Sequence, residues 1–115
     1  MIRRSGTYAT EVRQNMRGGK GSVTVENFWG KGELKAKTRL FAKLTIEPGS
    51  GIGFHEHLNE EEVYIVLRGQ GVIEENGEKI PVSVGDSILT GHGGNHAVEA
   101  VGSEPLELLA VIVQY

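Results

Sequence analysis

The stretch Gly49-Ser50-Gly51-Ile52-Gly53-Phe54-His55-Glu56-His57-Leu58-Asn59-Glu60-Glu61-Glu62-Val63-Tyr64-Ile65-Val66-Leu67-Arg68-Gly69 decides how this chain is read. Its second half, Val63 to Leu67, is a β-branched and aromatic run of strand length. Its first half predicts a short strand over 53–58 carrying His55-Glu56-His57. Residues two apart in an extended segment share a face, so both imidazoles point the same way. Glu62 opens the stronger strand, and its parity puts Tyr64 and Val66 on its own side. The same grammar extends outward. Leu40, Ala42, Leu44 and Ile46 take one parity while Arg39, Lys43 and Glu47 take the other, which predicts a half-buried strand ended by Pro48-Gly49. Downstream, Asn76-Gly77 suits a tight type I′ turn between strands at 71–75 and 78–84. Further strands are predicted over 87–90, 95–100 and 106–113, with Ser22 to Phe28 as an edge strand. Residues 30–37 read as a basic connection with room for a helical turn. Glu60 and Glu61 read as a solvated loop.

Glycine is the punctuation. Its 17 residues in 115 are about twice the usual ~7%, yet they are spread between strand-like runs. An all-β architecture follows, a closed barrel or a double sheet. The expected organisation is one domain, with residues 1–37 as an N-terminal arm with edge strands and residues 38–115 as the barrel. Lys and Arg total 12 against 15 Asp and Glu, a formal charge of −3, which argues against nucleic acid or anionic lipid as a partner. The absence of cysteine removes disulfides, zinc fingers and thiol catalysis. The longest apolar run, Leu108 to Val113, is six residues, far short of the ~20 of a membrane helix. Met1-Ile2-Arg3-Arg4-Ser5-Gly6 has charge with no apolar stretch behind it, so a cytoplasmic location is expected.

The chemistry concentrates in His55, His57, Glu62 and His96, which parity places on strands able to neighbour one another. Three imidazoles and one carboxylate suit a divalent transition metal. An isolated His-x-His pair is as readily a solvated pair, and the residues alone leave both readings open. The spacing adds to this. Gly49, His55, His57, Glu62 and Gly69 resemble the first motif of the cupin superfamily, and Gly85, Gly91, Gly93 and His96 resemble its second. Gly91 stands where that motif usually has proline. The resemblance implies a single jelly-roll β-barrel whose metal ligands are His55, His57, Glu62 and His96. It implies one divalent ion per chain, Mn, Fe, Ni, Zn, Co or Cu. Small chains of this pattern are also similar to oxalate-decarboxylase-like proteins, but full oxalate decarboxylases carry two barrels.

Two functional classes compete. The first is a metalloenzyme acting on a small carboxylate, sugar or dicarbonyl, with Tyr64 as the candidate acid–base or donor residue. The second is a non-catalytic metal-dependent binding or sensing module, favoured by the apolar pocket-facing set Leu40, Ala42, Leu44, Val66, Val98, Leu108 and Ala110. Arg17 is a candidate contact for an anionic ligand, and His92 reads as a surface loop residue. The last strand has apolar residues on both parities, which predicts burial on both sides and a homodimer covering the outer one.

Overall fold

The computed structural model describes residues 1–30 and 32–115; Lys31, in the connection over 30–37, lies outside the described residues. The elements in chain order are β1 (Ala9–Gln14), β2 (Ser22–Asn27), β3 (Thr38–Ile46), β4 (Gly51–Glu56), β5 (Glu60–Arg68), β6 (Gln70–Glu75), β7 (Glu78–Ser83), β8 (Ser87–Thr90), β9 (Asn95–Val101) and β10 (Leu106–Gln114). A single 3-10 turn, Met16–Gly18, separates β1 from β2. The fold is all-β. It comprises a six-stranded sheet in the order β1-β2-β3-β10-β5-β8 and a four-stranded sheet in the order β4-β9-β6-β7. Every ladder is antiparallel.

The alternation read from sequence builds the core. Ala42 and Leu44 of β3 and Leu108 and Ala110 of β10 are buried against Ile52, Ile73 and Val98 of the smaller sheet. Asn76 and Gly77 both adopt positive φ, 50° and 75°, as a type I′ turn requires. Two expectations change. The connection over 30–37 holds turns and bends but no helix among its described residues. Glu60 and Glu61 belong to β5 rather than to a loop, and Glu60 is only 7% exposed.

Within one chain the last strand is buried on one face. Leu106, Leu108, Ala110 and Ile112 are buried, but Leu109 and Val111 are half-buried and Val113 is 41% exposed. In a two-sheet sandwich only one face of each sheet meets the core. The outer apolar residues of β10 instead form cross-strand rows, with Val111 between Phe41 of β3 and Val63 of β5.

Two register shifts position the functional end. Between β3 and β10, Leu40 pairs with Ile112 and Thr38 with Val113, leaving Arg39 as an extra residue. Between β4 and β9, Ile52 pairs with Val98 and His55 with His96, so β4 carries one residue more than its partner. Bulges of this kind re-aim side chains.

Candidate metal centre

On a regular strand Ile52 and His55, three apart, would face opposite sides. The extra residue on β4 turns both inward, Ile52 into the core and His55 toward His96. Gly53 sits at this irregularity, and its carbonyl accepts the His55 Nδ1–H at 2.7 Å. His57 follows the end of β4, its backbone N–H donating to the Gly94 carbonyl at 3.2 Å. Glu62 lies on β5 between Ile112 of β10 and Thr90 of β8. All four sequence-predicted metal residues thus meet at one end of the sandwich.

Their ligand atoms all lie within 4.8 Å of one another. The Nε2 of His96 is 3.0 Å from the Nε2 of His55 and 3.0 Å from the Nε2 of His57. The Oε1 of Glu62 is 3.0 Å from Nε2 of both His57 and His96. The other nitrogen of each ring is occupied elsewhere. Nδ1 of His57 contacts Glu60 Oε1 at 2.9 Å and Nδ1 of His96 contacts Thr90 Oγ1 at 3.0 Å. With Nδ1–H donating in each ring, three Nε2 lone pairs aim at one point. Glu62 Oε1 is buried there without a hydrogen-bond partner. Such convergence of lone pairs and a carboxylate oxygen calls for positive charge at its centre, and the group is suited to holding a metal ion.

The electrostatics agree with that demand. Burial alone would raise the Glu62 carboxyl, but His57 and His96 bring it down to about 2, so it is ionised. His55 is pushed down to about 4, mainly by burial and further by His96 and His57. It stays neutral near pH 7, the form a ligand needs. His57 is raised by its contacts with Glu62 and, against the cost of burial, with Glu60.

The sequence signature of the cupin domain matches residues 42–112. The chain is a cupin. It is 42% identical to the oxalate-binding protein of Thermotoga maritima over 113 residues, covering 98% of this chain and 93% of that protein. Its fold matches the crystal structure of a predicted oxalate decarboxylase from Thermotoga maritima with a TM-score of 0.95 and 41% identity, over 100% of both chains. A cupin-like protein from the same organism matches with a TM-score of 0.73 at 24% identity, over 84% of this chain and 71% of that one, and shows the fold alone.

In this cupin His55, His57 and Glu62 line a cavity of about 360 Å³, with His96 buried against them. Tyr64 is on its wall, 2% exposed, its ring stacked on His96 with centroids 5.1 Å apart at 12°. Burial, then the charge of Glu62, pushes its phenol well above the usual range, so it remains a protonated donor. Leu40 and Leu44 line the cavity as expected, whereas Ala42, Val66, Val98, Leu108 and Ala110 are packed in the core behind it. The walls are correspondingly more basic than parity suggested, since Arg13, Arg17 and Arg39 also line them. His92 is on the surface, its side chain 81% exposed.

Sequence reasoning missed three supporting residues. Arg39 has the parity of an outward residue, and only the β3 bulge turns it to the cavity. There its Nε and Nη2 donate to Glu60 Oε2 and Oε1, both at 2.8 Å. Glu60, mainly through Arg39 and despite its burial, is held at about 2 and accepts from His57 as well. Thr90 is the partner of His96. The only advance signal was Glu60 three residues after His57, a spacing without meaning until β5 was known to begin there.

Proposed function

We propose that His55, His57, Glu62 and His96 bind one divalent metal ion per chain, and that the ion captures a small chelating carboxylate. The observation that carries this reading is the convergence of three Nε2 atoms and one unpaired, buried carboxylate oxygen, with every Nδ1 tied off. The donor separations favour a particular coordination. Donors at right angles on an ion roughly 2.1 Å away stand about 3.0 Å apart, whereas tetrahedral donors stand about 3.4 Å apart. The 3.0 Å separations match the former. A six-coordinate ion such as Mn, Fe, Co or Ni held by these four residues would keep positions for a bidentate ligand. The oxalate-binding relative supports a two-carbon dicarboxylate as the simplest candidate.

Bound there, the metal would supply Lewis acidity and a chelating template. The chain's own residues do the rest. Glu60 and Thr90 fix the His57 and His96 rings, the core closes the floor to water, and Tyr64 holds a proton on the wall. That proton favours catalysis as a second reading, in which Tyr64 donates to the developing charge of a chelated substrate. The unit is proposed to be a homodimer. In support, every residue of β1 is exposed, Val12 to 60%, and its outer edge has no ladder partner among the described residues. Calorimetry with oxalate on metal-loaded and metal-stripped protein tests the binding claim. Binding only by the loaded form is expected; equal binding by both forms contradicts it.

A further inference from the structure

The cavity holds a cation that the metal site does not use. Of the three arginines on its wall, Arg39 is held by Glu60 in two hydrogen bonds of 2.8 Å, and Arg13 reaches Glu11 at 2.6 Å. Arg17 has no side-chain hydrogen bond or ion pair among the described residues and lines the same cavity as His55, His57, Glu62 and Tyr64.

The backbone that carries it is unusual. Arg17 stands at φ 53° and ψ 31°, and Asn15 two residues earlier at φ 51° and ψ 45°. Both are left-handed conformations that non-glycine residues adopt at a cost, and strain kept at a cavity wall points to function. The turn is seated directly on β4. A methyl group on Gly53 would strike the carbonyl of Arg17, and one on Gly19 would strike the carbonyl of Gly51. Hydrogen bonds tie the turn itself, from Gly18 N–H to the Asn15 carbonyl at 3.0 Å and from Gly19 N–H to the Met16 carbonyl at 2.9 Å. A free guanidinium is thus carried on a turn fixed by its own hydrogen bonds and by its seat on the strand that bears His55.

We infer that Arg17 is the specificity-determining residue for a second anionic group, and that the cavity takes a chelating acid with a further carboxylate beyond its chelating end. The inference rests on the metal-chelate reading above. It goes further by assigning the ligand two poles, the chelating head at the histidines and the distal carboxylate on Arg17. A cavity of about 360 Å³ has room beyond a two-carbon anion. A planar guanidinium binds a carboxylate through two parallel N–H donors, which a neutral tail of equal length cannot engage.

The test compares ligands that differ only at the tail, titrated calorimetrically into the metal-loaded full chain. The pairs are 2-oxoglutarate against 2-oxopentanoate, and L-malate against 2-hydroxybutanoate. The wild type should prefer the dianion in at least one pair by about ten- to a hundredfold, the range of a charge-assisted pair. Arg17→Gln should bring that ratio close to one with metal content unchanged, the dianion losing far more affinity than the monoanion. Arg17→Gly should do the same without lowering Tm, because glycine takes φ 53° freely. A ratio near one in the wild type, or a preference that survives both substitutions, overturns the inference and leaves the metal-chelate reading standing. Failure of the metal-loaded protein to bind any of the four acids or oxalate overturns both.

Discussion

Replacing Glu60 tests whether the metal centre is built from its supporting residues outward. Glu60 Oε1 takes His57 Nδ1 at 2.9 Å and Arg39 Nη2 at 2.8 Å, while Oε2 takes Arg39 Nε at 2.8 Å. In Glu60→Gln the amide group will turn its oxygen to the first position, where two donors wait. Its NH2 then faces Arg39 Nε–H, donor against donor, and one of three contacts is lost along with the negative charge. His57 keeps its acceptor, but a neutral one. Loss of such a support costs ten- to a hundredfold in metal affinity. Glu60→Gln belongs at the lower end, about tenfold or ~1.4 kcal/mol. Glu60→Ala removes all three contacts and frees the His57 ring, which belongs near a hundredfold, or ~2.7 kcal/mol. Competition titration of Mn or Ni against a chromophoric chelator reads both values. Affinity unchanged in Glu60→Ala, in a chain that keeps its wild-type circular dichroism, would refute the role given to Glu60.

Other outcomes follow from the same geometry. Tyr64→Phe, which keeps the ring on His96, should slow turnover of any substrate the protein converts by more than it weakens binding of that substrate; steady-state kinetics beside calorimetry separate the two. Gly53→Ala places a methyl group against the Arg17 carbonyl and should cost about 1–3 kcal/mol, the usual range for overpacking. A thermal melt should show this as a drop in Tm of several degrees, and an unshifted Tm would mean the Met16–Gly18 turn does not rest on β4. Light scattering at micromolar concentration should return twice the chain mass; the mass of one chain would show that the exposed β1 stands without a partner.

Much of this was legible in the amino-acid sequence, for local reasons. The strand alternation of Leu40 to Ile46 and the turn at Asn76-Gly77 depend on neighbours in sequence, and the structure follows them closely. The four centre residues were legible because His55, His57 and Glu62 sit within one short stretch and His96 follows a glycine turn. What remained hidden depends on pairing between distant strands. Parity counting assumes an unbroken pleat, so the bulge that turns Arg39 inward was invisible, and with it the Arg39–Glu60 pair. His55 shows the opposite accident. It was assigned to the right face by counting from His57, although the bulge before it breaks the count from Ile52. On the last strand parity gave the buried face, while the sideways rows of its outer face, Val111 between Phe41 and Val63, depend on pairing with two distant strands.

The most direct measurement is the metal content of the protein purified without an affinity tag, beside that of His57→Ala. The wild type should carry, or take up on exposure to Mn, Fe, Co or Ni, one divalent ion per chain by elemental analysis, and the variant should lose most of it. A wild type that takes up no ion, or a His57→Ala chain that holds as much as the wild type, would contradict the account.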